Sequence, residues 1–209
     1  MLNYLSNTPL VVAGAVFITL FNVRETIFKT TEQLMRMQSY DLQVNFSQQY
    51  RIDEVQHELN KIPGIMDMDT WLRTNAKRIR LDGSESDNIS LTGLHPDSKV
   101  IIAPEMLEGR WLEPNDANAI VISSSVAQRE PDLKVGQLIT LKINDRAYTL
   151  QIVGKALSVG GGPGETGAAY VNYPYLASLV RNTAKSNVTM ITALPNTGIP
   201  LADLKKRIG

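Results

Sequence analysis

Residues 9–21, PLVVAGAVFITLF, form an apolar run, and no charged residue precedes Arg24. From Arg24 onward the chain turns polar without any signal that a helix stops, and no Gly or Pro interrupts residues 16–37. Glu25, Lys29, Glu32 and Arg36 fall on one helical face. The pairs Glu25–Lys29 and Glu32–Arg36 set acid before base at i,i+4, the favourable order. Ile27, Phe28, Leu34 and Met35 give the other side an apolar stripe. A helix over residues 9–38 would be about 45 Å long at 1.5 Å per residue, half of it suited to lipid and half to water. The pattern predicts the end of a membrane helix at 1–23 that continues as a helical stalk at 24–40. Glu25, Lys29, Glu32 and Arg36 are then the candidate residues for stalk coupling.

Two other readings fit the apolar run. A spanning helix needs about 20 apolar residues, and the clean run here is shorter. A signal peptide would explain that length, but it needs a positive n-region and a small-residue cleavage site. No Lys or Arg precedes the run, and FNVRET follows it. A buried helix of a soluble domain is the other alternative.

Beyond the stalk the periodicity changes. Asp41 to Phe46 alternates Leu42, Val44 and Phe46 with polar residues and predicts a strand. A helix follows over about 51–62, with Ile52, Val55, Leu59 and Ile62 on one face and Pro63-Gly64 ending it. Residues 65–81 read as one or two long strands carrying Trp71 and a basic exposed face of Arg73, Lys77, Arg78 and Arg80. Asp82-Gly83 is a turn signal, and 88–94 a further strand. From Val100 to about Val171 the elements shorten. Val100–Ala103 and Ala119–Ile122 are small apolar runs, and Ser125 with Gln128 has capping-box spacing for a short helix over 125–130. Ile139, Leu141 and Ile143, then Asn144-Asp145, then Tyr148, Leu150 and Ile152 predict a β-hairpin. Another strand is expected over 168–172, and a helical turn from Pro174.

The end repeats the beginning. Val188 to Leu194 reads as a strand, and Pro200 opens a helix with Leu201, Leu204 and Ile208 on one face. This strand–loop–helix doublet suits a split ferredoxin-like βαβ arrangement. The first copy has a strand after its helix and the second does not, so the chain is expected to be a piece of a longer protein. The expected fold is α+β: a porter-type domain in two pieces, 41–98 and 188–209, with a small mostly-β insertion at 99–187.

Lys plus Arg and Asp plus Glu are each 21, so the net charge is zero and no basic excess points to nucleic acid. Cysteine is absent, which excludes disulfide scaffolds and Cys-based zinc sites. Gly162 to Gly167 matches G-x-G-x-x-G, a pattern that needs a helix N-terminus aimed at phosphate and an acid about 20 residues on. The following AAYVNYP is strand-like, and no acid occurs between Glu165 and Asp203. A P-loop fails for want of its Lys and Ser/Thr. Gly160, Gly161, Gly162, Pro163 and Gly164 instead make a candidate loop for contacting a partner or substrate. His57 shares a helix face with Asp53, too few ligands for zinc. His95 has no nucleophile beside it in sequence. Ser123, Ser124 and Ser125 fit capping better than catalysis. Asp67 and Asp69 lie on one strand face, expected toward water. No catalytic constellation and no cofactor or metal site emerges.

Several short stretches carry a resemblance: AGAVFITLFNVRETI at the helix exit, Gly109-Arg110-Trp111-Leu112 with Ala119–Ile122 after it, Val135-Gly136-Gln137 before the hairpin, and Ile152-Val153-Gly154. In this order and spacing the chain resembles the extracytoplasmic core domain of MacB/FtsX/LolC-type ABC-transporter permeases. The resemblance implies a porter-type domain with an inserted β subdomain, held at the inner membrane with its bulk extracytoplasmic or periplasmic. It implies transport or efflux by mechanotransmission, with ATP hydrolysed on a separate cytoplasmic ABC ATPase and no cofactor in this chain. The implied partners are membrane lipid, that ATPase, a second permease subunit in a dimer, and an extracytoplasmic adaptor or substrate protein. A single-pass anchored adaptor or sensor domain is the competing reading. A secreted hydrolase is disfavoured by the missing constellation.

Overall fold

The computed structural model describes residues 40–98, 104–157 and 165–193. The expected membrane helix and stalk with Glu25, Lys29, Glu32 and Arg36, the run 100–103, the loop Gly160–Gly164 and the helix from Pro200 all lie outside the described residues. Among those described, no helix is long and apolar enough to cross a membrane.

The chain builds two lobes around one long strand. β1 (Leu42–Arg51) leads into helix α1 (Ile52–Asn60), and β2 (Ile65–Ile79) follows. α1 forms where the sequence predicts it. Asp53 and Glu54 occupy its first turn, Val55 and Leu59 are its buried stripe, and Gly64 turns the chain at φ 101°. The last described strand, β9 (Lys185–Ala193), lies antiparallel between β1 and β2. The order β1-β9-β2 with a helix crossing from β1 to β2 supplies three of the four strands and one of the two helices of the ferredoxin-like pattern. α1 lays Val55 and Leu59 on Ile191, flanked by Leu42, Val44, Phe46, Ile65 and Met68.

The second lobe is a closed barrel. Its strands are the C-terminal half of β2, β3 (Glu85–Leu94), β8 (Glu165–Asn172), β5 (Ala119–Ser123), β7 (Arg146–Ala156) and β6 (Leu138–Ile143), which returns to β2. Pairing around the ring is antiparallel except at β3–β8 and β5–β7. A short β4 (Met106–Gly109) pairs with the end of β7. Alternation fills the barrel: Leu72, Ile89, Leu91, Ile120, Ile122, Ile139, Leu141, Ile143, Leu150 and Ile152 point inward, each essentially inaccessible. The β6–β7 hairpin turns at Asn144 and Asp145, both at positive φ, as the predicted turn requires. Helix α2 (Ser124–Arg129) follows β5 and helix α3 (Tyr173–Leu179) follows β8. Because β5 and β8 are antiparallel, the two helices sit at opposite barrel ends, contributing Val126 at one and Leu176 and Ala177 at the other.

Two expectations change in detail. β3 was expected in the first piece, with the insertion starting at 99; its hydrogen bonds instead place it in the barrel, and the change of sheet occurs within β2. Trp71 still pairs with Val188 of β9, whereas Leu72 pairs with Gly93 of β3. At about 3.3 Å per residue this 15-residue strand is about 50 Å long, enough to serve both sheets without a break that sequence alone would reveal. The helix over 125–130 was expected to be capped by Ser125. The N-cap is Ser123, whose buried Oγ accepts from the Val126 and Ala168 amides. It thereby ties the helix start to β8 as well as to its own first turn.

Candidate functional site

Side chains tie the two lobes together at the junction where β2 passes from one to the other. Here β9 runs out of main-chain pairing with β2, and its side chains take over. The Asn187 amide accepts a hydrogen bond from the Arg73 N–H and donates one to the Arg73 carbonyl, both at 2.8 Å. This reproduces the two bonds of an antiparallel ladder with one side chain, one step beyond the last paired residues. Beside it the buried Ser186 hydroxyl lies 2.8 Å from the Trp71 carbonyl and 2.9 Å from that of Val188. The Trp71 indole N–H donates to Asp69 at 2.7 Å.

An apolar cluster fills the angle between the lobes. Trp71, Val188 and Met190 come from the three-stranded sheet; Leu94, Ala119, Val121 and Ala156 come from the outer face of the barrel. That explains the uninterrupted apolar run of β5, in which every residue is buried. Ile120 and Ile122 face the barrel interior, while Ala119 and Val121 face this second core. A strand covered on both sides loses its alternation.

The loop before β5 seals the cluster with Trp111 and Leu112. It is knotted by Arg110, bidentate on Asp116 at 2.8 and 2.9 Å, and by Asn172, whose amide donates to the Glu113 and Asp116 carbonyls. The bond from Arg110 holds the Asp116 carboxyl below the usual carboxylate range. Of the stretches behind the family resemblance, those within the described residues, 109–112 with 119–122, 135–137 and 152–154, meet here. A Cβ at Gly109 would stand 2.2 Å from the Val153 carbonyl, and one at Gly154 would stand 2.2 Å from that of Arg110. The Gly136 amide donates to the Ile152 carbonyl, and that of Ile152 to Gln137. Gly109 and Gly154 are needed because β4 and β7 approach backbone to backbone, whereas Gly136 serves a turn at φ 89° with open space around it.

Tyr40, the first described residue, packs half-buried against the same cluster. The chain is pinned just after it. The Asp41 amide donates to the Ile191 carbonyl at 2.9 Å, and the Asp41 carboxylate accepts from the Ala193 amide at 2.7 Å. Burial raises the Tyr40 phenol above its usual range, against a lowering by Arg73.

A second polar centre lies at the other barrel end. Arg78 is buried and forks onto Asp132, while Glu130, also buried, accepts from both Arg78 and Arg80. These bonds hold both carboxyls below their usual range, with Arg80 the larger influence on Glu130 and Arg78 on Asp132. The cluster fastens the turn carrying buried Leu133 to β2. It also corrects the expected basic face. Arg73 and Lys77 are odd-numbered, Arg78 and Arg80 even, so a strand sends the two pairs to opposite sides. Buried Arg78 and partly exposed Arg80, just past the end of β2, are neutralised by Glu130 and Asp132.

The other sequence candidates scatter. Exposed Asp53 pairs with Arg51 rather than with His57. The His95 ring lies 5.1 Å from that of Tyr173. Asp69, expected toward water, is half-buried as the partner of Trp71. The chain after the Gly-rich loop runs as strand β8, not as the helix a phosphate site needs. The stalk residues and Gly160–Gly164 lie outside the described residues. Sequence reasoning missed Tyr40, Asn187 and Ser186. Only Trp71 gave a signal, as a large aromatic mid-strand.

The fold resembles two solved structures. The periplasmic region of MacB from Actinobacillus actinomycetemcomitans aligns with a TM-score of 0.55 at 12% identity, over 78% of this chain and 78% of that one. The extracellular domain of the noncanonic ABC-type transporter YknZ from Gram-positive bacteria aligns with a TM-score of 0.54 at 12% identity, over 79% and 86%. No curated protein sequence matches significantly. The family model for the MacB-like periplasmic core domain matches residues 10–209, and the chain belongs to that family.

Proposed function

We propose that this chain is the extracytoplasmic part of an ABC-transporter permease subunit and works mechanically, without chemistry of its own. In this reading residues 1–23 end a membrane helix, the bulk of the chain lies outside the inner membrane, and a separate cytoplasmic ATPase supplies the energy. The stalk, carrying Glu25, Lys29, Glu32 and Arg36, pairs with the stalk of a second permease subunit. It passes ATP-driven motion to the domain, which engages an adaptor or substrate protein, with the loop Gly160–Gly164 as a candidate contact. The observation that carries the reading is the family match across residues 10–209, which takes in the apolar run and the stalk along with the domain.

These 209 residues contain no cysteine, and any cysteine elsewhere in the natural subunit is replaced before the test. Lys29→Cys in the natural membrane protein, purified with its ATPase, should form a disulfide between two subunits at a rate that ATP changes severalfold. Reversing Glu25 and Glu32 to Lys should abolish that response and leave the domain folded. A subunit that purifies without an ATPase, or a cross-linking rate indifferent to ATP, favours an anchored adaptor or sensor instead.

A further inference from the structure

We infer that Tyr40 is the positioning residue through which motion from the N-terminal side reaches both lobes, and that the lobes answer as one body. This deepens the permease reading and rests on it for the source of the motion. The geometry has three parts. First, the chain is pinned from its first described residues. Tyr40 is seated in the shared cluster, and Asp41 is tied twice, to Ile191 and to Ala193. A displacement arriving at residue 40 therefore acts on β9, the central strand of the three-stranded sheet.

Second, the cluster that receives the Tyr40 ring belongs to neither lobe alone. It holds Trp71, Val188 and Met190 from the sheet and Leu94, Val121 and Ala156 from the barrel. Close-packed interiors transmit strain rather than absorb it. A push on Tyr40 is thus shared between the lobes at its point of entry. Third, the junction has no hinge among the described residues. β2 crosses it without interruption, and the Asn187 side chain extends the β2–β9 ladder to Arg73 where main-chain pairing stops. A hinge needs a few residues free to change φ and ψ; Trp71 to Arg73 are fixed by bonds on the side of β9 and by pairing to β3.

Two measurements test this. In the natural permease with its ATPase, a spin label at Gln56→Cys on exposed α1 of each subunit reports the distance between the two domains. ATP should shift that distance. Tyr40→Ala should cut the shifted population about tenfold, within the range usual for coupling between sites, while ATP hydrolysis and the thermal midpoint of the isolated chain stay near wild type. Tyr40→Phe should restore the shift, because the ring does the work. An ATP-driven shift unchanged in Tyr40→Ala overturns the role of Tyr40, and so does a failure of Tyr40→Phe to rescue it.

The second measurement needs no ATPase. Labels at Gln56→Cys and Thr149→Cys on one chain, one per lobe and both exposed, should give a single narrow distance. Two distances, or one broad distribution, overturn the one-body claim even where the permease reading holds. Where no ATPase assembles, the permease reading fails and this distance still decides whether the lobes are coupled.

Discussion

The two lobes solve the edge problem of a β-sheet in opposite ways. The barrel closes on itself, so its six strands pair all the way round, and a helix blocks each end. The three-stranded sheet leaves β1 paired on one side only among the described residues, and α1 covers one face. The contrast shows in burial. Barrel residues such as Leu150 and Ile122 are wholly inaccessible, while Leu42, Val44 and Phe46 under α1 are half-exposed. Among the described residues the core under α1 is small, three buried residues against the barrel's eighteen, and this sheet also leans on the barrel through the junction. The lesson is that continuity of β2, rather than the size of its own core, keeps the porter-like lobe in place.

The strongest way to break this comparison is to cut one side chain in each lobe. Leu150→Ala in the barrel should cost about 4 kcal/mol of unfolding free energy, near the top of the range for buried leucines, because a closed barrel cannot collapse onto the cavity. Leu59→Ala on α1 should cost about 2 kcal/mol, since that helix can settle. Chemical denaturation checks both, and equal losses would erase the distinction.

Next in size is the ion cluster at the far barrel end. Glu130→Gln should cost about 3 kcal/mol, because Arg78 stays buried with one fewer anionic partner. Both carboxyls titrate lower in the folded chain than in the unfolded one. Their contribution is therefore fully present above the unfolded carboxylate range, and it is lost as pH falls through the lower folded values. Stability should hold from pH 7 to about pH 5 and decline below it. Glu130→Gln should decline less, and an identical acid profile for both proteins would remove the cluster from the account.

Much of the fold was legible, and the gaps have a common cause. The α1 stripe, the Asn144-Asp145 hairpin and the Pro174 turn are local patterns, and each formed where periodicity put it. Ring closure through β6 and β2 pairs residues such as Arg78 and Leu141 that are far apart in sequence, and no local pattern encodes that. The change of sheet at Trp71–Leu72 was invisible because no Gly, Pro or turn signal marks it: the strand continues, with Trp71 buried in the shared cluster and Leu72 in the barrel. The junction stayed hidden for the same reason: Tyr40, Ser186 and Asn187 acquire their roles only when β2 and β9 meet.

A smaller effect sharpens the comparison at that point. Asn187→Ala removes both side-chain bonds to Arg73 and leaves its N–H and carbonyl to find other partners, at a cost of about 2 kcal/mol. The loss should fall on the three-stranded lobe, with the barrel amides still protected.

Native-state hydrogen exchange tests the central claim most directly, because it reads which segments open together. If β2 is one continuous member, the amides of Leu72, Arg73 and Val188 should exchange with the slow barrel set that includes Ile122 and Leu150, while α1 opens at lower free energy. If those junction amides exchange as readily as α1, the lobes are separate units joined by a hinge, and the account is wrong.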